Sequence, residues 1–97
     1  MRAFYVYILR CADGAFYVGH TDDLGKRMAE HEEGVCCRYT RKRRPVELAY
    51  FDAFDSRAEV LEKERQLKGW SRAKKEALIR GEWAELRRLS RKRCKTG

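Results

Sequence analysis

Branched and aromatic residues open the chain in two short runs, Tyr5-Val6-Tyr7 and Tyr17-Val18-Gly19, which read as strands. Cys11 to Ala15, holding Asp13-Gly14, reads as the hairpin turn between them. A five-residue loop sets Leu9 opposite Tyr17, and the period of two puts Tyr7 on the same sheet face, so two phenols share one surface. The spacing then changes to that of a helix. Leu24, Met28 and His31 mark one helical face, and Arg27 to His31 is an i,i+4 step that projects cation and imidazole together. After a basic loop from Gly34 to Pro45, a third strand runs through Val46 to Phe54.

Helices fill the remainder. Ser56 followed by Glu59 is a capping box, and the helix it opens buries Val60, Leu61 and Leu67 at helical spacing. Ser71 caps a third helix over Arg72 to Arg80 with Gly81 as its stop, and Glu82 to Leu89 forms a short fourth. Trp70, Leu78, Ile79 and Trp83 are expected to build core. The architecture that follows is α+β, a three-stranded antiparallel sheet flanked by helices with an extra C-terminal helix. With 97 residues the chain has room for one core, burying roughly 60–65% of its unfolded surface. It shows no repeat and no Gly/Ser linker.

One residue breaks the pattern. Glu64 stands four residues after Val60 and three before Leu67, within the apolar stripe rather than opposite it. A carboxylate there is partly desolvated and needs a partner, for which a metal ion, Arg27 and Lys68 are the candidates.

Charge sharpens the picture. The chain carries +8 overall, yet residues 1–33 hold four cations against six acids, so the other 64 residues carry +10. The excess gathers in Arg38 to Arg44, where five of seven residues are basic, and in Arg87 to Lys95, where six of nine are. Such patches attract phosphate backbones through counterion release without choosing a sequence. Nucleic acid is the partner this implies, with Arg38, Arg41, Lys42, Arg43 and Arg44 as phosphate contacts, joined by Lys68 and Lys74. No apolar run approaches the ~20 residues of a membrane span, and Met1-Arg2 leads straight into a strand without a signal-peptide pattern. A cytoplasmic protein with no membrane contact and no obligate protein partner is expected. Cys11, Cys36, Cys37 and Cys94 lack zinc-ligand spacing and read as reduced thiols.

The ordered set of Tyr5-Val6-Tyr7, Tyr17-Val18-Gly19, Arg27, His31 and Glu64 resembles the GIY-YIG nuclease family, specifically its small stand-alone members, over roughly residues 3 to 80. Tyr39-Thr40 and the run from Leu67 to Lys75 are similar to those members too. The resemblance makes residues 1–85 a GIY-YIG-like nuclease domain and residues 86–97 a basic C-terminal tail. It implies a divalent-metal-dependent endonuclease that hydrolyses phosphodiester bonds in DNA, with RNA as the second substrate and a place in repair, recombination or processing. In that reading Glu64 holds Mg or Mn, Arg27 stabilises the transition-state phosphate, Tyr17 is the base, and Tyr7 orients it or the phosphate. His31 positions Tyr17 or shuttles a proton. His20 follows Tyr-Val-Gly where many members place a lysine, and is a second proton-transfer candidate.

The chain departs from the family pattern twice. Tyr5 stands where the family name has glycine, and the sequence contains no Asn, although members often carry one beyond the glutamate. Ser71 and Lys74 are the candidates for that place. The alternatives are a catalytically weak or inactive module binding DNA or RNA on the same fold, and an interaction domain whose basic loop meets an acidic protein.

Overall fold

The computed structural model describes residues 3–35 and 37–95, and for residues 91–95 the course of the chain but not the side chains. The elements, in order, are β1 (Phe4–Cys11), β2 (Phe16–Thr21), α1 (Leu24–Glu33), α2 (Arg38–Arg41), β3 (Val46–Phe54), α3 (Arg57–Lys68), α4 (Arg72–Arg80) and α5 (Trp83–Lys95). The three strands form one antiparallel sheet in the order β2-β1-β3. Leu9 pairs with Tyr17, the register expected from a five-residue turn.

As the central strand, β1 is covered on both faces. Its residues Val6, Tyr7, Ile8 and Leu9 are therefore all buried, and alternation sends them into two separate cores. Val6 and Ile8, with Val18, pack under Val60 and Leu67 of α3 and Leu78 of α4. Tyr7, Leu9, Cys11 and Val46 pack on the other face against Tyr17 and against Leu24 and Met28 of α1. On the outer edge of β3 the Asp52 carboxylate accepts the backbone N–H of Ala53 at 2.9 Å.

Side-chain caps open three of the helices. Asp23 accepts the N–H of Lys26, Ser56 that of Glu59, and Ser71 that of Lys74. Gly34 closes α1 at φ 76°, and a Cβ there would also stand 2.9 Å from the Arg41 side chain, so conformation and space both select glycine.

Three expectations are corrected. The basic loop from Gly34 to Pro45 contains the one-turn helix α2. The last helix runs to Lys95 rather than Leu89. Trp83 is exposed, whereas Leu78 is buried and Trp70 and Ile79 pack against the core. Cys36, and the side chains of the basic run from Arg91 to Lys95 with that of Cys94, lie outside the described residues. No helix among the described residues is long and apolar enough to cross a membrane.

Candidate active site

Strand register places Tyr7 directly opposite Gly19, and the phenol lies across that glycine. A Cβ at position 19 would stand 2.6 Å from Tyr7 Oη, 2.8 Å from its Cζ and 3.2 Å from Tyr17 Cε2. Glycine is needed here for close approach and not for an unusual backbone angle. Because the Tyr7 ring is fully buried it has nowhere to retreat. Gly19→Ala is therefore expected to destabilise the fold by about 1–3 kcal/mol, the usual range for overpacking, as measured by denaturant unfolding. Unchanged stability would mean that the ring has a second seat.

From Gly19 the Tyr7 hydroxyl reaches His31 Nε2 on α1 at 3.0 Å. His31 Nδ1 lies 2.8 Å from Thr40 Oγ1 on α2, and Thr40 Oγ1 lies 3.3 Å from the Cys37 carbonyl oxygen. That carbonyl can only accept, so Thr40 O–H donates to Cys37 and His31 Nδ1–H donates to Thr40, and with the imidazole neutral Tyr7 O–H donates to His31 Nε2. Burial pushes the His31 imidazole below its ordinary pKa, the Arg27 cation lowers it further, and Glu30 opposes them. Both lowering effects favour the neutral imidazole, whose Nε2 accepts from the Tyr7 hydroxyl.

Tyr17 occupies the outer side of this cluster. Its ring centre lies 5.4 Å from His31, 6.4 Å from Tyr7 and 5.8 Å from Tyr39. Burial raises the pKa of the Cys37 thiol beside it. Hydrogen bonds from the Thr40 amide, the Tyr17 hydroxyl, the Tyr39 amide and the Thr40 side chain outweigh that and hold it below its ordinary value.

Glu64 is on the other face of the sheet. Its side chain is only 14% exposed, with Oε1 2.8 Å from His20 Nδ1 and Oε2 3.1 Å from Lys68 Nζ. Of the partners expected for this stripe carboxylate, Lys68 is present, and His20 is the one the sequence did not suggest. Arg27 instead pairs with Glu30 at 3.3 Å. A carboxylate can only accept, so His20 Nδ1 carries the proton of that bond.

Period two in β2 explains the division. Tyr17 and Gly19 face α1 while His20 faces α3, so the consecutive residues Gly19 and His20 join the tyrosine–imidazole cluster to the histidine–carboxylate pair around an outer strand. Where β2 ends, Thr21, Asp22, Asp23, Lys26, Arg27 and Glu30 line a cavity of about 80 Å³. Arg27 thereby stands beside the strand that carries the other groups.

The basic residues divide into exposed and anchored. Arg38, Arg41 and Lys42 are exposed on and just after α2. Arg43 is tied down, its Nε 3.0 Å from Asp13 Oδ2 and its guanidinium 4.0 Å over the Tyr39 ring. Arg44 donates to the carbonyls of Arg41 and Glu32. Lys74, expected among the phosphate contacts, is buried with its ammonium 4.4 Å over the Trp70 ring, a correction that follows from its place on the inner face of α4. Ser71 is engaged as the cap of that helix.

The described residues contain no group of three or more His, Cys, Asp and Glu side chains that would cage a metal. Glu64, whose oxygens are engaged by His20 and Lys68, offers a single carboxylate, and a hard divalent ion such as Mg is commonly held by one or two carboxylates, water and substrate phosphate.

The sequence pattern that defines the GIY-YIG catalytic domain matches residues 3–77 of this chain. The chain belongs to the GIY-YIG family. The GIY-YIG match runs from β1 into α4 and stops short of α5. Among similar proteins, a UPF0213 protein of Bacillus pumilus is 47% identical over 75 residues, which is 77% of this chain and 76% of that protein. A UPF0213 protein of Natronomonas pharaonis is 46% identical over 78 residues, covering 80% of this chain and 92% of its own length. Two solution NMR structures share the GIY-YIG fold seen here. A UPF0213 protein of Bacillus halodurans has a TM-score of 0.53 at 43% identity, covering 79% of this chain and 82% of that one. A protein of E. faecalis has a TM-score of 0.59 at 36% identity, covering 84% and 86%.

Proposed function

We propose that this chain is a divalent-metal-dependent endonuclease that hydrolyses phosphodiester bonds in nucleic acid, DNA in preference to RNA. The observation that carries this reading is the assembly around β2. Half-buried Tyr17, backed by the Tyr7–His31–Thr40 chain, stands on one side of the strand and the His20–Glu64 pair on the other. A module that only bound nucleic acid would need positive charge and no such set.

A phosphodiester resists attack because its charge repels nucleophiles and its leaving alkoxide is poor. Tyr17 is the phenol on the outer side of its cluster, so it takes the proton of the attacking water, while Tyr7 and His31 beneath it are positioning residues. An unperturbed phenol has a pKa near 10, and Tyr17 therefore acts as a base only beside positive charge. Arg27 supplies part of that charge and stabilises the phosphate as negative charge accumulates. His20 donates from Nδ1 to Glu64, and its doubly protonated form carries a second proton on Nε2 that it gives to the leaving oxygen. Glu64 would hold the divalent ion, which when bound supplies Lewis-acid charge to a phosphate oxygen. The exposed cations Arg38, Arg41 and Lys42 hold the backbone.

The test is cleavage of duplex, single-stranded DNA and RNA in Mg, in Mn and in EDTA. Cleavage in either metal and none in EDTA is expected, and binding without cleavage under every condition would favour the inactive module. Arg27→Ala should then lower turnover about 100-fold or more while changing affinity little, in line with loss of one preorganised charge stabiliser. Equal losses in binding and rate would make Arg27 a phosphate anchor instead.

A further inference from the structure

The turn between β1 and β2 is bracketed by arginines from the two helical layers. On the α2 side, Arg43 Nε lies 3.0 Å from Asp13 Oδ2, and the Arg43 carbonyl accepts the N–H of Ala12 at 2.9 Å. On the α4 side, the Arg72 guanidinium lies 4.4 Å from the centre of the Phe16 ring, and a Cβ on Gly14 would be 3.9 Å from Arg72 Nη2. Arg10, paired with Phe16 across the ladder, brings a second guanidinium to 5.6 Å from the same ring. Aromatic contact holds these cations in place without neutralising them.

Two further cations belong to the helices packed on the same sheet face. Lys75 follows Arg72 by one turn of α4, whose first turn contains no acid. Lys68 ends α3 with its ammonium 3.1 Å from Glu64. The acids in contact with this series are Glu47 on Arg10 at 3.4 Å, Glu76 on Arg72 at 3.4 Å, and Glu64 itself. Arg72 and Lys68 are more than half exposed, so each retains donors towards solvent. The Lys75 ammonium is pushed below its ordinary pKa by burial and by the nearby Arg72 cation, which is the environment that an incoming anion relieves. From His20 back to Phe16 is four residues of β2, about 13 Å at 3.2–3.4 Å per residue. That is about four base-pair steps at 3.4 Å each.

We propose that Lys68, Arg72 and Lys75, with Arg10, form a second phosphate-binding seam on the sheet face opposite the α2 cluster, and that it holds the nucleic-acid backbone leading away from the Glu64 side of the site. The seam rests on the nucleic-acid reading above and names the residues that reading lacked. In it Arg72 and Lys75 take the place that buried Lys74 cannot fill.

The test is binding to a labelled duplex of mixed sequence, in EDTA so that no cleavage is supported, over a series of salt concentrations. The full chain is compared with Arg72→Gln/Lys75→Gln and with the charge-preserving pair Arg72→Lys/Lys75→Arg. Loss of both charges should flatten log affinity against log salt by about two units, at roughly 0.9 per phosphate contact, and the charge-preserving pair should retain the original slope. If Arg72→Gln unfolds the chain by releasing Phe16, Lys75→Gln alone should flatten the slope by about one unit. An unchanged slope in a folded variant overturns the seam even when the unsubstituted chain binds and cleaves. A flattened slope in a chain that cleaves nothing supports the seam and overturns only the nuclease. No salt-dependent binding by the unsubstituted chain overturns both.

Discussion

Glu64→Gln is expected to abolish metal-supported cleavage while nucleic-acid affinity stays within a few fold. The substitution removes one negative charge and almost no volume. Gln can still accept from His20 Nδ1 and can still lie in the apolar stripe of α3, so unfolding should shift only slightly. It cannot hold a hard divalent ion as a carboxylate does. Lys68 loses its ion-pair partner at the same time and becomes more available to phosphate, so any change in affinity should be a gain. The measurements are single-turnover cleavage in Mg and equilibrium binding in EDTA on the same protein. Full cleavage by the glutamine variant would sink the assignment of the metal to Glu64.

Replacing the two phenols separately should give the other large effect, of a different kind at each position. Tyr17→Phe keeps the ring that packs on His31 and Tyr39 and removes only the hydroxyl, so cleavage should collapse by orders of magnitude in a folded protein. Tyr7→Phe withdraws the proton that Tyr7 donates to His31 Nε2 deep in the second core. Its first consequence should be a loss of about 1–3 kcal/mol of stability, the cost of removing a partner from a buried acceptor, with a smaller fall in rate. Denaturant unfolding and cleavage rates on both variants separate the two roles. A larger loss of rate in Tyr7→Phe, with stability unchanged, would move the base from Tyr17 to Tyr7.

Local features were legible in the sequence because they depend on neighbours along the chain. The hairpin register followed from the length of one loop, and the caps at Ser56 and Ser71 from hydroxyls placed before helical runs. The anomaly at Glu64 followed from spacing alone. Of its two partners Lys68 followed from an i,i+4 step, but His20 did not, since it reaches Glu64 across 44 positions and only because β2 turns alternate residues to opposite faces. Thr40 was noted for its resemblance to small relatives but not as the residue that orients His31, because a threonine in a basic segment gives no sign of which histidine it will meet. Lys74 was misplaced for a related reason. Its charge suggested solvent, whereas its position on α4 carries its stem into the core and its ammonium onto Trp70. Gly19 shows its purpose only once the ring of Tyr7 is seen lying across it.

The division of the site between two cores has a mechanical consequence. Arg27 is carried by α1, which rests on the sheet through Leu24 and Met28, Glu64 by α3, which rests on it through Val60 and Leu67, and Tyr17 by the sheet itself, with β1 as their shared footing. Trimming a buried side chain in either layer lets that layer settle towards the sheet while the other stays where it was. The distance from the guanidinium or the carboxylate to the phenol then changes although none of the three has been touched. Turnover in this protein should accordingly respond to interior volume changes far from the scissile phosphate, and paired substitutions that shrink both layers together should preserve alignment better than either does alone.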